Sequence, residues 1–199
     1  CKRLKMEAFT SVWDITSAKQ ILKLKPNNVK VPSACNNNWN LMTYIFKNYK
    51  KNIHVSLGMT TQNEEKKIVT LAKKHKANKR LILYACTSDY PVQAENICLL
   101  EIQRLIKKYG KTVKAIGFSG HHHGISADIA AATLGAEWIE RHFTLDRTMK
   151  GTDHAASLEP DGARRLKRDL DLLSLTLKFK SKEILKCELE QRKKLKFVN

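Results

Sequence analysis

Short apolar runs alternate with amphipathic stretches along most of the chain. The apolar runs are rich in Val, Ile, Leu and Phe, as expected of strands that are buried on both faces of a sheet. They predict strands at residues 6–11, 28–33, 52–57, 80–87, 114–119 and 137–144. Apolar residues at helical spacing predict helices at residues 14–24, 39–50, 62–76, 95–109 and 125–134.

Repeated strand–helix units predict a parallel sheet with helices outside it, in either an open doubly wound form or a closed barrel. A serine stands at or just past the end of most predicted strands: Ser11, Ser33, Ser56, Ser88 and Ser119. Ordinary turn chemistry would explain each of them singly. Polar residues at nearly every strand end favour a barrel, whose site is ringed by all its loops. We therefore predict an α/β fold, a partial TIM-type (β/α)8 barrel with about six βα units and the first two strands missing.

The pattern changes after residue 159. Pro160 suits a helix start, and leucines recur at helical spacing behind it: Leu166, Leu170, Leu173 and Leu177. We predict the last barrel helix here and a solvated basic helix or tail in residues 181–199. Residues 1–180 then form one partial barrel domain, with no second domain after it.

The composition is that of a globular protein, with 42% hydrophobic and 28% charged residues. No apolar run reaches the length of a membrane span, so we expect no membrane partner. The net charge of +18 fits either nucleic-acid binding or solvated lysine faces. Acidic residues interleave with basic ones, as at 64–67, and no basic run alternates with aromatic residues. We therefore expect no nucleic-acid partner, and an anionic small substrate suits the charge as well.

The five cysteines form no CxxC pair, and their odd number does not fit a disulfide framework or a zinc finger. Residues 1–5 lack the apolar stretch of a secretory signal. They also lack a start methionine, as expected of a chain taken from inside a longer reading frame. Reduced thiols in the cytoplasm are the expectation.

Titratable residues concentrate in residues 115–160, a predicted strand–turn–helix–strand unit. Histidines 121–123 follow one strand and His142 lies late in the next, so parallel pairing brings one of the three near His142. Two imidazoles with open water positions fit Mn, Fe, Co or Zn. The alternative is a polar histidine loop with His142 packed in the core. Glu140 shares a strand face with His142 and, where buried, needs a partner.

Lys30 indicates an anion site at the end of the second predicted strand. An inward-pointing lysine is costly without an anion to pair with, and Ser33 follows it closely. With serines at the other strand ends, a phosphate or carboxylate is the natural partner. The alternative is that Lys30 is one of many surface lysines. Asp153 follows a loop containing Gly151 and is placed to cover the site.

Four segments resemble the sialic acid synthases (N-acetylneuraminate synthases) and their relatives for legionaminic and pseudaminic acid. The longest is residues 117–160, which is similar to the family signature in order and spacing. The others are Cys-Thr-Ser-Asp-Tyr-Pro at 86–91, Ser-Leu-Gly-Met at 56–59 and Lys-Val-Pro-Ser at 30–33. The resemblance covers roughly residues 6–175.

The resemblance implies a (β/α)8 barrel that condenses phosphoenolpyruvate with N-acetylmannosamine, its 6-phosphate or a related N-acyl amino sugar, and releases phosphate. It also implies a divalent metal, Mn²⁺, Mg²⁺ or Co²⁺, held by His121 and His142. The implied catalytic residues are Glu140, Lys30, Asp153 and Tyr90. The implied substrate-binding residues are Ser11, Lys30, Ser33, Ser56, Ser88, Tyr90, Ser119 and Asp153. A homodimer is the expected assembly.

The chain departs from the family pattern at several positions. Gly120 stands where most members have Asp, Ser88 stands where Asn is common, and His122 and His123 are extra imidazoles. The family's first two strands, which carry an essential Glu, and its C-terminal antifreeze-like domain are absent from residues 1–199. We therefore expect this chain alone to be weakly active or inactive. Two alternatives are a catalytically inactive barrel remnant that binds metal or a partner chain, and a basic nucleic-acid-binding protein.

Overall fold

A computed structural model describes residues 4–197. Its strands are β1 Asn28–Val31, β2 Asn52–Ser56, β3 Leu81–Cys86, β4 Ala115–Gly120 and β5 Trp138–Arg141. Its helices are α1 Ile15–Lys23, α2 Trp39–Asn48, α3 Gln62–Lys74, α4 Glu101–Tyr109, α5 Ser126–Thr133, α6 Pro160–Thr176 and α7 Leu189–Leu195. Helices and strands alternate from α1 to α6, as the hydrophobic pattern predicts.

The five strands form one parallel sheet in sequence order, each paired with the next. Side chains alternate between a face packed on the helices and a second face. Val29, Ile53 and Leu83 belong to the large core beneath the helices. Tyr84 and Trp138 belong to a small cluster on the other face. We call this second face the concave face.

An ion pair shows that the sheet is curled. Lys30 of β1 and Glu140 of β5 lie 2.6 Å apart, measured from Nζ to Oε2. A flat five-stranded sheet would hold its outer strands about 19 Å apart. The sheet therefore bends round as half of a barrel, and the pair spans its concave side.

Two isolated bridges extend the sheet at its edges, Ser11 with Lys30 and Phe143 with Leu158. The predicted strand at 6–11 is wrong as a full strand, since only Ser11 makes such a bridge among the described residues. Closure into eight strands stays a prediction.

Local signals explain where the helices begin. Thr61 and Glu64 form a reciprocal capping box at the start of α3, as their spacing predicts. Pro160 occupies the first turn of α6. The predicted helix at 95–109 begins only at Glu101, because Cys98 has a left-handed backbone with φ of 53° that a helix cannot include.

Residues beyond α6 have little contact with the sheet. Helix α7 is short and contains no buried residue. The predicted domain limits stay predictions, and positions 198 and 199 lie outside the described residues. Between residues 4 and 197, no helix has both the length and the apolar character to cross a membrane.

Candidate active site

The carboxyl ends of the strands bring the predicted site residues to one rim of the half-barrel. Lys30 is 4% exposed, and its ammonium is bound to the carboxylate of Glu140. Burial acts to raise the pKa of Glu140, but the charges of Lys30 and His142 and the hydrogen bond from Lys30 lower it to about 2. Glu140 is therefore a carboxylate at neutral pH. Lys30 therefore points inward, as predicted, and the anion that it pairs with is the side chain of Glu140.

Three serine hydroxyls near this ion pair have unused hydrogen-bonding capacity. Within residues 4–197 the buried Oγ atoms of Ser56, Ser88 and Ser119 have no hydrogen-bond partner. Buried hydroxyls are normally paired, because an unpaired one costs about 1–3 kcal/mol. These orphaned groups suit the oxygen atoms of an anion.

A glycine turn completes the group of hydroxyls. The backbone N–H of Gly58 donates to Ser33 Oγ over 3.2 Å. A Cβ atom at position 58 would clash with the hydroxyls of Ser88 and Ser33. Only glycine lets the backbone approach so closely, and the turn thereby leaves room above the serines. We call Ser33, Ser56, Gly58, Ser88 and Ser119 the hydroxyl cradle.

His121 and His142 lie beside this cradle with their ring centroids 5.2 Å apart. The Nδ1 of His121 lies 2.9 Å from the carbonyl oxygen of Thr87, so Nδ1 carries the proton. The Nδ1 of His142 lies 3.1 Å from Oδ2 of Asp153. Each ring therefore keeps Nε2 as its unprotonated nitrogen when neutral. Metal-binding histidines are commonly held in this way, with the other ring nitrogen donating to a carboxylate or carbonyl oxygen.

The histidine pair stays a candidate for an open metal site with two protein ligands. In the part of the chain that the structure describes, no cluster of three or more His, Cys, Asp or Glu residues could hold a metal ion. Two imidazole donors would leave the remaining coordination positions to water and substrate. His123 is exposed, while His122 is buried against Arg141, away from this pair.

Tyr90 borders the histidine pair. Its ring centroid lies 4.3 Å from that of His121 and 6.0 Å from that of His142. Burial raises the pKa of Tyr90, and the charges of Cys86, Asp153 and Glu140 raise it further. The phenol therefore stays protonated at neutral pH and is available as a hydrogen-bond donor.

Two cavities adjoin these residues. One of about 810 Å³ lies between residues 4–11 and β5 with α6, and Ser11, Lys30 and Glu140 line it. A smaller one of about 290 Å³ lies between His142 and the loop at residues 151–154 that carries Asp153. Ser11 therefore reaches the site from the edge of the sheet, and Asp153 reaches it from a covering loop.

Sequence reasoning missed two parts of the site. Cys86 lies on its floor, with Sγ 3.7 Å from Ser33 Oγ and 4.0 Å from His121 Nδ1. Burial acts to raise the pKa of the Cys86 thiol, but His121 and the hydroxyl of Ser33 lower it. The second part is the carbonyl of Thr87, which fixes the His121 tautomer. Every residue has a backbone carbonyl, so the identity of residue 87 could not have predicted this role. The only signal for Cys86 is its place at the start of the segment 86–91.

Comparison with known proteins decides the family. Residues 1–182 match the model of the NeuB family. The chain belongs to the NeuB family. This finding supports the synthase hypothesis and gives no support to the inactive-remnant or nucleic-acid-binding alternatives.

Relatives of this NeuB chain include N-acetylneuraminate-9-phosphate synthase from Homo sapiens, 38% identical over 170 residues, 83% of this chain and 45% of the relative. N,N'-diacetyllegionaminic acid synthase from Campylobacter jejuni is 34% identical over 166 residues, 83% of this chain and 48% of that protein. The chain thus spans about half the length of these curated relatives.

A solved structure shares the architecture of this NeuB chain. It is the N-acetylneuraminic acid (sialic acid) synthetase of Leptospira borgpetersenii in complex with citrate. The match has a TM-score of 0.79 at 28% identity and covers 93% of this chain and 64% of that one. The half-barrel is therefore a NeuB architecture.

Proposed function

We propose that this chain provides the site of a NeuB synthase, which joins phosphoenolpyruvate to an N-acyl amino sugar and releases phosphate. The sugar class is N-acetylmannosamine, its 6-phosphate or a related aldehyde. One observation carries the proposal: the buried ion pair of Lys30 and Glu140 lies beside three unpaired serine hydroxyls at the same strand ends. A cation with unsatisfied donors around it is a site for a small polyanion.

Phosphoenolpyruvate fits this arrangement by charge and by the donors it needs. The Lys30 ammonium and the hydroxyl cradle offer donors to its phosphate and carboxylate oxygens. Binding then exchanges the internal partner of Lys30 for the substrate, which leaves the Glu140 carboxylate free to face the reacting carbon. The synthetase of Leptospira borgpetersenii was solved in complex with citrate, another small polyanion.

A divalent cation, Mn²⁺, Mg²⁺ or Co²⁺, is part of the proposal, with His121 and His142 as its protein ligands. When bound, it supplies Lewis acidity toward the aldehyde oxygen of the sugar. Asp153 orients His142, and the Thr87 carbonyl orients His121. Tyr90, protonated beside them, is placed to donate a hydrogen bond to the sugar.

The chemical step forms a carbon–carbon bond. The π electrons of phosphoenolpyruvate bond its C3 to the aldehyde carbon, and the aldehyde oxygen takes a proton to become a hydroxyl. C2 is left electron-poor, and the carboxylate of Glu140 stabilises the positive charge that develops there. Water adds to C2 and loses a proton. The bond between C2 and the phosphate oxygen then breaks, giving a ketone and phosphate.

Three finer features are also proposed. The 810 Å³ cavity beside residues 4–11 is the place where two further strands would close the barrel. Free thiols at the four described cysteines support a cytoplasmic location, while Cys1 lies outside the described residues. A homodimer stays the prediction for the assembly, and analytical ultracentrifugation would test it.

Titration calorimetry with phosphoenolpyruvate tests the proposed function first, followed by phosphate release with N-acetylmannosamine and Mn²⁺. We expect the wild-type chain to bind phosphoenolpyruvate and Lys30→Gln to lose binding. Lys178→Gln, in the exposed stretch after α6, is the matched control and should bind as the wild type does. Equal binding by Lys30→Gln and the wild type would refute the anion site. If the wild type releases phosphate above background, equal release by Glu140→Gln would refute the role of its carboxylate.

A further inference from the structure

Arg141 lies on β5 between Glu140 and His142, with its side chain on the opposite face of the sheet. The side chain is 3% exposed, and its guanidinium binds three separate segments of the chain. Its hydrogen-bond acceptors are the carbonyl oxygens of His122 (2.5 Å), Gly124 (2.8 Å) and Ala156 (3.2 Å) and Oδ2 of Asp128 (2.6 Å). One planar group thus joins β5 to the β4–α5 loop, to α5 and to the loop before α6.

Asp128 of α5 is fully buried and forms an ion pair with Arg141. A buried ion pair is weak evidence for stability, since hydrophobic residues of similar volume often serve as well. What it adds is geometry, because the guanidinium fork fixes the directions of several acceptors at once. The pair lies outside the proposed reaction site and takes no part in the steps above.

His122 packs over Gly120. A Cβ atom at 120 would lie 2.9 Å from Cε1 of His122 and 2.9 Å from Cε1 of Phe118. The His122 ring in turn lies with Nε2 3.3 Å from Arg141 Nη1 and 3.5 Å from Asp128 Oδ2. Glycine at 120 and histidine at 122 are therefore a matched pair, and together they complete the packing around Arg141.

We infer that Arg141 and Asp128 are positioning residues, which hold the two strand ends so that His121 and His142 face each other. His121 precedes a residue whose carbonyl Arg141 binds, and His142 follows Arg141 directly. Ala156, the third anchor, lies in the loop that carries Asp153, the partner of His142. The inference rests on the proposed metal-binding role of the histidine pair.

Arg141→Lys and Asp128→Asn test the inference, with Mn²⁺ affinity measured by calorimetry. Lysine at 141 keeps the positive charge but lacks the planar guanidinium that reaches several acceptors at once. Asparagine at 128 keeps the size of the side chain but removes its negative charge. We expect Mn²⁺ affinity to fall about 10- to 100-fold in either variant, as for other residues that orient metal ligands. Affinity for phosphoenolpyruvate without metal should change less than about twofold, because Lys30 and every cradle residue except Ser119 lie on or after β1, β2 and β3.

Arg80→Lys is the matched control. Arg80 also donates to backbone carbonyls, those of Tyr49, Lys76 and Phe46, but at the amino ends of the strands. It should lower the melting temperature without changing Mn²⁺ affinity. An Arg141→Lys variant that binds Mn²⁺ as the wild type does would overturn the inference.

The glycine offers a second route. Gly120→Ala should weaken Mn²⁺ binding by pressing on the rings of His122 and Phe118. Unchanged Mn²⁺ binding in that variant would also contradict the inference.

The proposed metal site has its own test, since His121→Ala or His142→Ala should abolish Mn²⁺ binding in a folded protein. If the wild type binds no Mn²⁺, that part of the proposed function fails. The positioning role is then decided by the ring-nitrogen NMR shifts of His121 and His142. They must move in Arg141→Lys but not in Arg80→Lys, and unchanged shifts would overturn it.

Discussion

The two ends of the concave face treat polar side chains in opposite ways. Toward the amino ends of the strands, His54 uses both ring nitrogens, Nδ1 with Tyr84 OH at 2.7 Å and Nε2 with Asn28 Oδ1 at 2.9 Å. The Asn28 amide in turn donates to Glu7. Toward the carboxyl ends, three hydroxyls of the cradle have no partner within residues 4–197. One end is a closed hydrogen-bond network, and the other has unused donors and acceptors.

This difference separates polar residues that build the fold from those that await a ligand. Both groups are buried and lie on the same sheet, so burial and residue type do not distinguish them. Unsatisfied hydrogen-bonding capacity does, because folding leaves a buried polar group unpaired only at a cost. Changes at the amino end should therefore alter stability alone, and changes at the carboxyl end should alter binding.

Lys30→Met should have the largest effect. It leaves the Glu140 carboxylate buried and unpaired, which costs about 3–5 kcal/mol in the free energy of unfolding. It should also abolish phosphoenolpyruvate binding. Urea denaturation and calorimetry measure the two effects. Adding Glu140→Leu should recover most of the stability but no binding. Phosphoenolpyruvate binding by that double variant would contradict the assignment of the anion site to the carboxyl end of the concave face.

His54→Leu should come next, with an effect on stability only. Its removal leaves the Tyr84 hydroxyl without a partner, at about 1–3 kcal/mol, while Asn28 Oδ1 keeps its hydrogen bond from Asn52. His54 pairs with Lys30 across the strands but hydrogen-bonds to neither Lys30 nor the cradle. Phosphoenolpyruvate affinity, measured by calorimetry on the folded variant, should therefore stay within about twofold of the wild type. A tenfold loss would show that the amino-end network belongs to the site.

The pH dependence of stability gives a smaller effect with a definite sign. Burial lowers the pKa of His54 from 6.5 to about 3. The charge of Glu140 acts to raise this pKa, and the charges of Lys30 and Lys114 act to lower it. Below pH 6.5 the unfolded chain therefore takes up a proton that the folded chain refuses. Stability should fall as pH drops from 6.5 to 4.5, by at most about 1.4 kcal/mol per pH unit from this group.

Denaturant titrations of the wild type and His54→Leu at several pH values measure that slope. The variant should lose less stability over the same interval. If stability falls equally with pH in both proteins, the imidazole of His54 is not held neutral by burial in the folded state. Below pH 4.5 the lowered pKa of Glu140 adds a further loss that continues toward pH 2. Glu140→Gln should remove that second component.

Ser119→Ala should have the smallest effect on stability and the opposite sign. It removes an unpaired buried hydroxyl, so the free energy of unfolding should rise slightly, by about 1 kcal/mol at most. Phosphoenolpyruvate affinity should nevertheless fall several-fold. Ser174→Ala, on the exposed side of α6, should leave affinity unchanged. Loss of stability in Ser119→Ala would place that hydroxyl in the structural network instead.

The sequence predicts the parallel βα order well, because buried strands leave apolar runs such as 80–87 that hydrophobic burial requires. It also predicts that an inward Lys30 needs an anion. It does not predict Glu140 as that partner, since the contact depends on how far the sheet curls. The segment 6–11 has the composition of a strand, yet only Ser11 pairs with β1 among the described residues.

The histidines show the same limit. Parallel pairing predicts that one of the three consecutive histidines meets His142, and the resemblance singles out His121. The residues alone do not, because the choice depends on the Thr87 carbonyl and on the space beside Gly120. Both are properties of the folded backbone. The histidine pair, the cradle and their roles stay predictions until a ligand is measured.

The ion pair that spans the curled sheet has a consequence for the order of folding. Each strand pairs with the next one along the chain, so most of the sheet can assemble through contacts between neighbouring units. Lys30 and Glu140 are 110 positions apart, so we expect them to meet only after the intervening units have docked. The anion site is thus completed at the end of folding, and a chain stalled on the way would have a sheet but no pocket.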